Sequence, residues 1–379
     1  MPPREPPLAE YALRYAAEGM SSRLLTRKPL FLTVFVTARC GLSCGHCFYR
    51  DELLSGSHKH ELSLDEYDRM TRRLPRFPKL IITGGEPFLR EDLCEIAEKF
   101  YENQSQARQI TIPTAGAHTE RIVDLVERLL EPRPDLILEL QLSIDGVGEK
   151  HDAIRGKGSF EKLMRTHDAL RPIQDRNSGL RIRFNYTFGR MTQDHFAETH
   201  RFVSETLGNP HFDMVLVRRK TIEDQYWGEV DVEKYRAAAA LLQEMERKKA
   251  GDDTLKRMLA QRVRVEREII AEHSQGRAKM TGCLAGTLTA IISETGEVRP
   301  CEVLDQSFGN LRGVDFDFEA LWHGHTAQEF RHWVKETGCF CTFETCVRTT
   351  MSFQPRWYAS MAKGFVQDLA AGPPGSKVG

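Results

Sequence analysis

The sequence predicts an α/β protein built on a parallel sheet. From residue 31 onwards, short runs rich in β-branched and aromatic residues alternate with segments of helical periodicity. The first of these runs leads directly into a loop holding three of the chain's nine cysteines. Strict alternation needs parallel strands with crossover connections, which reads as a barrel or as a doubly wound sheet. Periodicity by itself leaves both open.

Along the chain, residues 8–20 within an amino-terminal extension (1–30) predict an amphipathic helix. Leu8, Tyr11, Leu13, Tyr15 and Ala16 are its apolar positions, expected to pack on the main body. The main unit, 31–230, has predicted strands at 31–37, 80–83, 109–112, 136–144, 181–188 and 213–217. Ser63-Leu64-Asp65-Glu66 is a capping box, in which serine and glutamate satisfy each other's free backbone amides, and it starts a helix running to residue 74. Further helices are predicted at 92–103, 119–130, 160–170 and 194–207. Residues 231–276 lack any strand signal and predict two helices broken at Gly251-Asp252-Asp253. They read as a connector whose Arg247, Lys248, Lys249, Arg262 and Arg264, interleaved with acids, lie on a solvated face. Residues 277–350 form a second unit, and 351–379 a helix and a frayed tail with Gly372-Pro373-Pro374-Gly375.

The 379 residues carry 53 basic and 54 acidic side chains, a formal charge of −1, so the overall positive field of a nucleic-acid-binding protein is missing. No apolar stretch reaches the roughly 18 residues of a membrane span, and segment 1–7 lacks the apolar core of a signal peptide. A cytoplasmic location is expected. Thiols stay reduced there, so the cysteines point to metal or catalysis rather than to disulfides. Three fall between 40 and 47 and five between 283 and 346; Cys94 stands apart, and a small buried hydrophobe is its expected role.

Cys40-Gly41-Leu42-Ser43-Cys44-Gly45-His46-Cys47 follows the first strand, at the carboxyl end where α/β proteins place their sites. Thiolates hold iron–sulfur clusters or zinc. Three of them leave one iron of a four-iron cubane free to bind something else, whereas a closed zinc site needs a fourth ligand, which His46 could supply.

This loop resembles the CxxxCxxC motif of the radical S-adenosylmethionine (SAM) superfamily, which implies an α/β fold with a partial (β/α)6 barrel and a [4Fe–4S] cluster on Cys40, Cys44 and Cys47 as the catalytic centre. Thr83-Gly84-Gly85-Glu86-Pro87 resembles the family's GGE motif, placing Gly84, Gly85, Glu86 and Pro87 near the methionine amino group of SAM. Leu142-Ser143-Ile144-Asp145-Gly146 is similar to its SIDG segment, which implies ribose contacts from Ser143 and Asp145 on one strand face. His151-Asp152-Ala153-Ile154-Arg155-Gly156 resembles the HDxxRG segment of members with auxiliary clusters, with Arg155 anchoring the SAM carboxylate. Two departures complete the set: Thr114 lies in Pro113-Thr114-Ala115-Gly116, where relatives often show Thr-Asn-Gly, and His46 takes a commonly aromatic position near the adenine.

The second group, Cys283, Cys301, Cys339, Cys341 and Cys346, opens with a pattern resembling the CX9-15GX4C signature of SPASM and twitch domains; twelve residues separate Cys283 from Gly296. A β-hairpin of 289–292 and Val298, turning at Thr295-Gly296, would bring Cys283 and Cys301 together. The resemblance implies an α+β auxiliary domain. Five cysteines, where a full SPASM domain offers seven, imply one auxiliary [4Fe–4S] cluster on Cys283, Cys301 and two of Cys339, Cys341 and Cys346, with zinc as the alternative.

The activity implied by the resemblance is that of an oxidoreductase or maturase. It would cleave SAM reductively to a 5′-deoxyadenosyl radical and abstract hydrogen from a peptide or small-molecule substrate, drawing electrons from a donor such as flavodoxin or ferredoxin. Peptide maturation or dehydrogenation is the first reading and cofactor or small-metabolite biosynthesis the alternative; tRNA modification and a non-catalytic metal scaffold are more distant ones. With only about thirty residues before the first strand, no leader-peptide recognition domain is expected there, so a peptide substrate would come on a separate carrier.

Overall fold

The computed structural model describes residues 8–104, 106–218 and 230–370; the expected tail, 371–379, lies outside them. Six strands form in chain order: β1 (Phe31–Phe35), β2 (Lys79–Thr83), β3 (Gln109–Thr114), β4 (Ile137–Ser143), β5 (Leu180–Phe188) and β6 (Phe212–Leu216). All five pairings between them are parallel and join sequence neighbours. Right-handed crossovers between sequential neighbours keep the helices on one face, so the sheet curls into a barrel; a doubly wound sheet would reverse its strand order at a switch point.

The barrel stays open because β1 gives its free edge to β7 (Thr289–Ile292), in parallel, and not to β6. Two antiparallel strands extend it further, β8 (Glu297–Arg299) and β9 (Gly309–Asn310). The predicted carboxyl-terminal hairpin therefore extends the barrel sheet, and all four residues of β7 are buried.

Burial alternates along the strands. Leu180, Ile182, Phe184, Tyr186 and Phe188 of β5 are buried, while Arg181, Arg183, Asn185 and Thr187 face the lumen. Parallel strands covered on both faces normally read as continuous apolar runs. Here one face packs on the helices and the other surrounds a polar space.

The capping box forms as read: the Glu66 N–H donates to Ser63 Oγ (3.3 Å) and the Ser63 N–H to Glu66 Oε2 (2.8 Å), opening the helix Leu64–Arg73. Helices Leu93–Asn103 and Thr119–Leu130 match their predicted positions, Ser159–Arg176 runs six residues beyond its expected end, through Pro172, and Phe196–Arg201 continues into a π-turn. On the amino-terminal helix, Leu8–Ser21, Tyr15 packs against Phe31 and Phe353, but Leu13 and Ala16 are exposed, so the apolar stripe read from sequence is only partly the buried one.

The helices Val232–Ala250 and Thr254–Ser274 break at Gly251 as expected, but of the basic residues expected on a solvated face only Lys248 is exposed, while Lys249 and Arg262 line the lumen and Arg264 donates to Ser360 O (2.9 Å). Arg247 and Arg257 both pair with Asp368, at 3.1 and 2.7 Å, and Arg262, Glu266 and Arg267 face the lumen. Charge periodicity cannot distinguish a stripe turned to water from one turned to a polar cavity. Among the described residues no helix is long and apolar enough to cross a membrane.

Candidate active site

The loop carrying Cys40 is pinned to the exit of β2 by backbone alone. The Gly85 N–H donates to Thr37 O (2.9 Å) and the Glu86 N–H to Arg39 O (2.8 Å). The approach leaves no room for side chains: a Cβ at Gly84, whose φ is +153°, would lie 2.4 Å from Thr37 O, and one at Gly85 would lie 2.3 Å from Arg39 O. The buried Glu86 carboxylate accepts from Thr114 Oγ1 (2.8 Å) and the Ala115 N–H (2.9 Å), tying the exits of β2 and β3 together, and burial pushes its pKa up. Pro87 opens a buried 3-10 turn and does not reach the lumen wall.

Asp145 departs from expectation. Strand β4 ends at Ser143, and with it the alternation that would have kept both side chains on one face. Ser143 lines the lumen, but Asp145 is fully buried and turned into the protein. Its Oδ2 accepts from Arg155 Nε (2.6 Å) and lies 3.4 Å from His46 Nε2, while Oδ1 accepts from the Thr187 N–H (2.8 Å). Burial works to raise the Asp145 pKa, yet Arg155 and His46 hold it below the usual carboxylate range. Arg155 and His46 line the lumen from this anchor, and burial pulls His46 down to about 4, keeping its ring neutral.

None of the nine cysteines is paired in a disulfide. Cys40, Cys44 and Cys47 border the lumen, with the Leu42 N–H directed at Cys40 Sγ (3.5 Å). Burial pushes Cys40 up to about 11, so a thiolate there needs a bound cation. Beyond the barrel mouth, Cys301 and Cys346 are buried in one cluster with Ala285 and Phe343, and Cys283 and Cys341 pack against it. The Ala285 N–H points at Cys283 Sγ and the Phe343 N–H at Cys341 Sγ, both at 3.4 Å. Backbone donors aimed at sulfur suit iron–sulfur ligands, whose potential depends on such bonds. Cys339 is half-buried and packs against the main core, as Cys283 also does, with its thiol within electrostatic reach of Cys283 and Cys301, and Cys94 is buried within that core as expected.

A cavity of about 900 Å³ fills the lumen and brings together Cys40, Cys44, His46, Cys47, Gly84, Gly85, Glu86, Thr114, Ser143 and Arg155. It also collects charges with no motif to announce them, Lys79, Arg181, Arg183, Arg218, Lys249, Lys256, Arg262, Arg267 and Arg348 against Glu139, Asp213, Glu246, Glu266, Glu302 and Glu344; Lys249 and Arg262 are two of those expected on a solvated face. Arg348 pairs with Glu266 (2.8 Å), Arg183 with Glu139 (3.4 Å), and Arg267 with Asp213 and Glu344. Burial, reinforced by Arg262 and Arg348, pulls Lys79 down to about 8. The legible signal was the polar alternation in Arg181-Ile182-Arg183-Phe184-Asn185, unusual for a parallel strand.

Residues 34–203 match the radical SAM superfamily, and residues 283–346 match the SPASM iron–sulfur cluster-binding domain. The chain is 28% identical over 297 residues to the AdoMet-dependent heme synthase of Nitratidesulfovibrio vulgaris, covering 74% of this chain and 76% of that protein. It is 28% identical over 320 residues to the AdoMet-dependent heme synthase of Methanosarcina barkeri, covering 81% and 85%. A solved structure, native anSMEcpe with bound AdoMet, shares the fold with a TM-score of 0.55 at 17% identity, over 90% of this chain and 98% of that one. The chain thus belongs to the radical SAM superfamily, as an enzyme that uses a [4Fe–4S] cluster and SAM and carries a SPASM domain for auxiliary iron–sulfur binding.

Proposed function

We propose that this enzyme acts on a carboxylate-bearing small molecule of the tetrapyrrole class, in cofactor biosynthesis. The observation that carries the reading is the lumen wall, where ten lysine and arginine side chains face seven carboxylates around one cavity. At about 900 Å³ the cavity lies near the upper end of the roughly 300–1,000 Å³ of small-molecule sites. The names of the two heme synthases point the same way, since heme is a planar tetrapyrrole with carboxylate arms. Both observations favour the cofactor alternative over peptide maturation.

In this reading Cys40, Cys44 and Cys47 would hold the first cluster, and Cys283, Cys301, Cys341 and Cys346 the auxiliary one, leaving Cys339 surplus. When bound, the cluster and SAM supply a primary carbon radical able to take hydrogen from an unactivated C–H bond. Gly84 and Gly85 give backbone access to the methionine end of SAM, and Glu86 keeps Thr114 and the β3 exit in place. Asp145 acts indirectly, fixing Arg155 and His46 at the wall, while Ser143 faces the ribose. The lumen arginines orient the substrate's carboxylates by charge-assisted hydrogen bonds, each worth about 1.5–3 kcal/mol.

The test is anaerobic turnover of reconstituted enzyme with SAM and dithionite, monitoring 5′-deoxyadenosine by chromatography. An iron porphyrin carrying four carboxylates is expected to raise its formation well above the substrate-free rate. Stimulation by short peptides with no response to the porphyrin would sink the proposal.

A further inference from the structure

Arg218, just beyond β6, touches the surroundings of both cysteine groups. Its guanidinium carbon lies 4.5 Å from the ring centre of Phe48, the residue after Cys47, and 4.3 Å from that of Phe343, which stands between Cys341 and Cys346 in the chain. The same guanidinium pairs with Glu302, the residue after Cys301. Both members of that pair are largely buried, at 16% and 9% side-chain exposure. The carboxylate of Glu344 and, after it, the thiols of Cys346, Cys341 and Cys301 lie within reach of the charge. Three loops, each anchored by a cysteine, thus converge on one cation, and the forked guanidinium suits two ring contacts and an ion pair at once.

We propose that Arg218 is a positioning residue that sets the reduction potential of the auxiliary cluster and clamps the loop of the second cysteine group against that of the first. This rests on the assignment of Cys283, Cys301, Cys341 and Cys346 as ligands and is independent of the substrate. A fixed cation beside a cluster stabilises the more negative, reduced state, so it raises the potential; charge and solvent exposure are the protein's main levers on such centres. Glu302 and Glu344 moderate the effect by neutralising part of that charge.

The experiment is an anaerobic redox titration of reconstituted full-length enzyme, monitoring each cluster by electron paramagnetic resonance. Iron per chain is measured first in the unaltered enzyme, Cys346→Ala and Cys339→Ala, which tests the ligand assignment separately. Arg218→Met is expected to shift the auxiliary midpoint downwards and the first cluster's midpoint by less. Arg218→Lys, which retains the charge, restores most of the auxiliary value. Glu302→Gln keeps Arg218 and removes its counter-charge, so the auxiliary midpoint moves upwards; this variant decides the matter where Arg218→Met does not fold. An unchanged auxiliary midpoint in a variant holding its full iron overturns the proposal.

Discussion

The two cysteine groups of this protein are built on opposite plans. Cys40, Cys44 and Cys47 lie on one loop of eight residues, half-buried on the wall of an open cavity. The second group is spread over sixty-four residues, with Cys301 and Cys346 buried beneath Phe343. A local loop at a cavity wall can hold a metal centre while leaving one face for an exchangeable ligand. A group assembled from a hairpin and the helix Glu344–Ser352 would hold its centre as part of the packing, although Glu302, Phe343 and Thr345 beside it reach the lumen. Access separates the two groups, and the consequences of removing each should differ accordingly.

The largest contrast comes from replacing Cys40, Cys44 and Cys47 together by alanine. Formation of 5′-deoxyadenosine is expected to be abolished, with iron falling from about eight to about four per chain. The melting temperature should hold, because the loop carries little of the core. A variant that still cleaves SAM would erase the distinction between the groups.

Cys346→Ala sharpens the comparison from the other side. Iron again falls to about four, but here a fully buried side chain is lost, so the melting temperature should drop by a few degrees, consistent with about 2 kcal/mol in a chain of this size. Cys339→Ala, half-buried against the main core, should leave the iron content unchanged. Equal iron loss from both variants would redraw the ligand set.

The smallest expected effect concerns the lumen between the groups. Burial pulls Lys79 down to about 8 from the ordinary 10.5, so the cavity loses a positive charge as pH rises through 8, and KM for a carboxylate substrate should rise a few-fold above that point. Stability moves in the opposite direction. The unfolded chain holds the proton more tightly, so folding is increasingly favoured as pH rises from about 8 towards 10.5. In Lys79→Met both dependences should flatten, measured by KM against pH and by denaturant titration.

Much of the fold was legible because it is local. Each of the six barrel strands begins and ends within two residues of its predicted span, and the capping box forms on the residues that announce it. Less legible was what lies across the sheet. The pairing of β7 with β1 joins segments more than two hundred residues apart, and no periodicity reports it. Asp145 leaves the expected face because the strand, and its alternation with it, ends at Ser143, and Arg262 turns to the lumen because a charged stripe can be satisfied by a polar cavity as well as by water.

Taken by itself, the sequence determined the order of strands and helices, the three-thiol loop, the glycine pair that must accept close backbone and the existence of a second cysteine group. These depend on backbone preference and on neighbours a few residues away. Tertiary structure alone decided that the barrel remains open, that its lumen is charged and that Arg218 bridges the two cysteine groups. An ion pair or a stacked cation is defined by where distant segments meet, and a charged side chain carries no local mark of whether it will face water or a cavity.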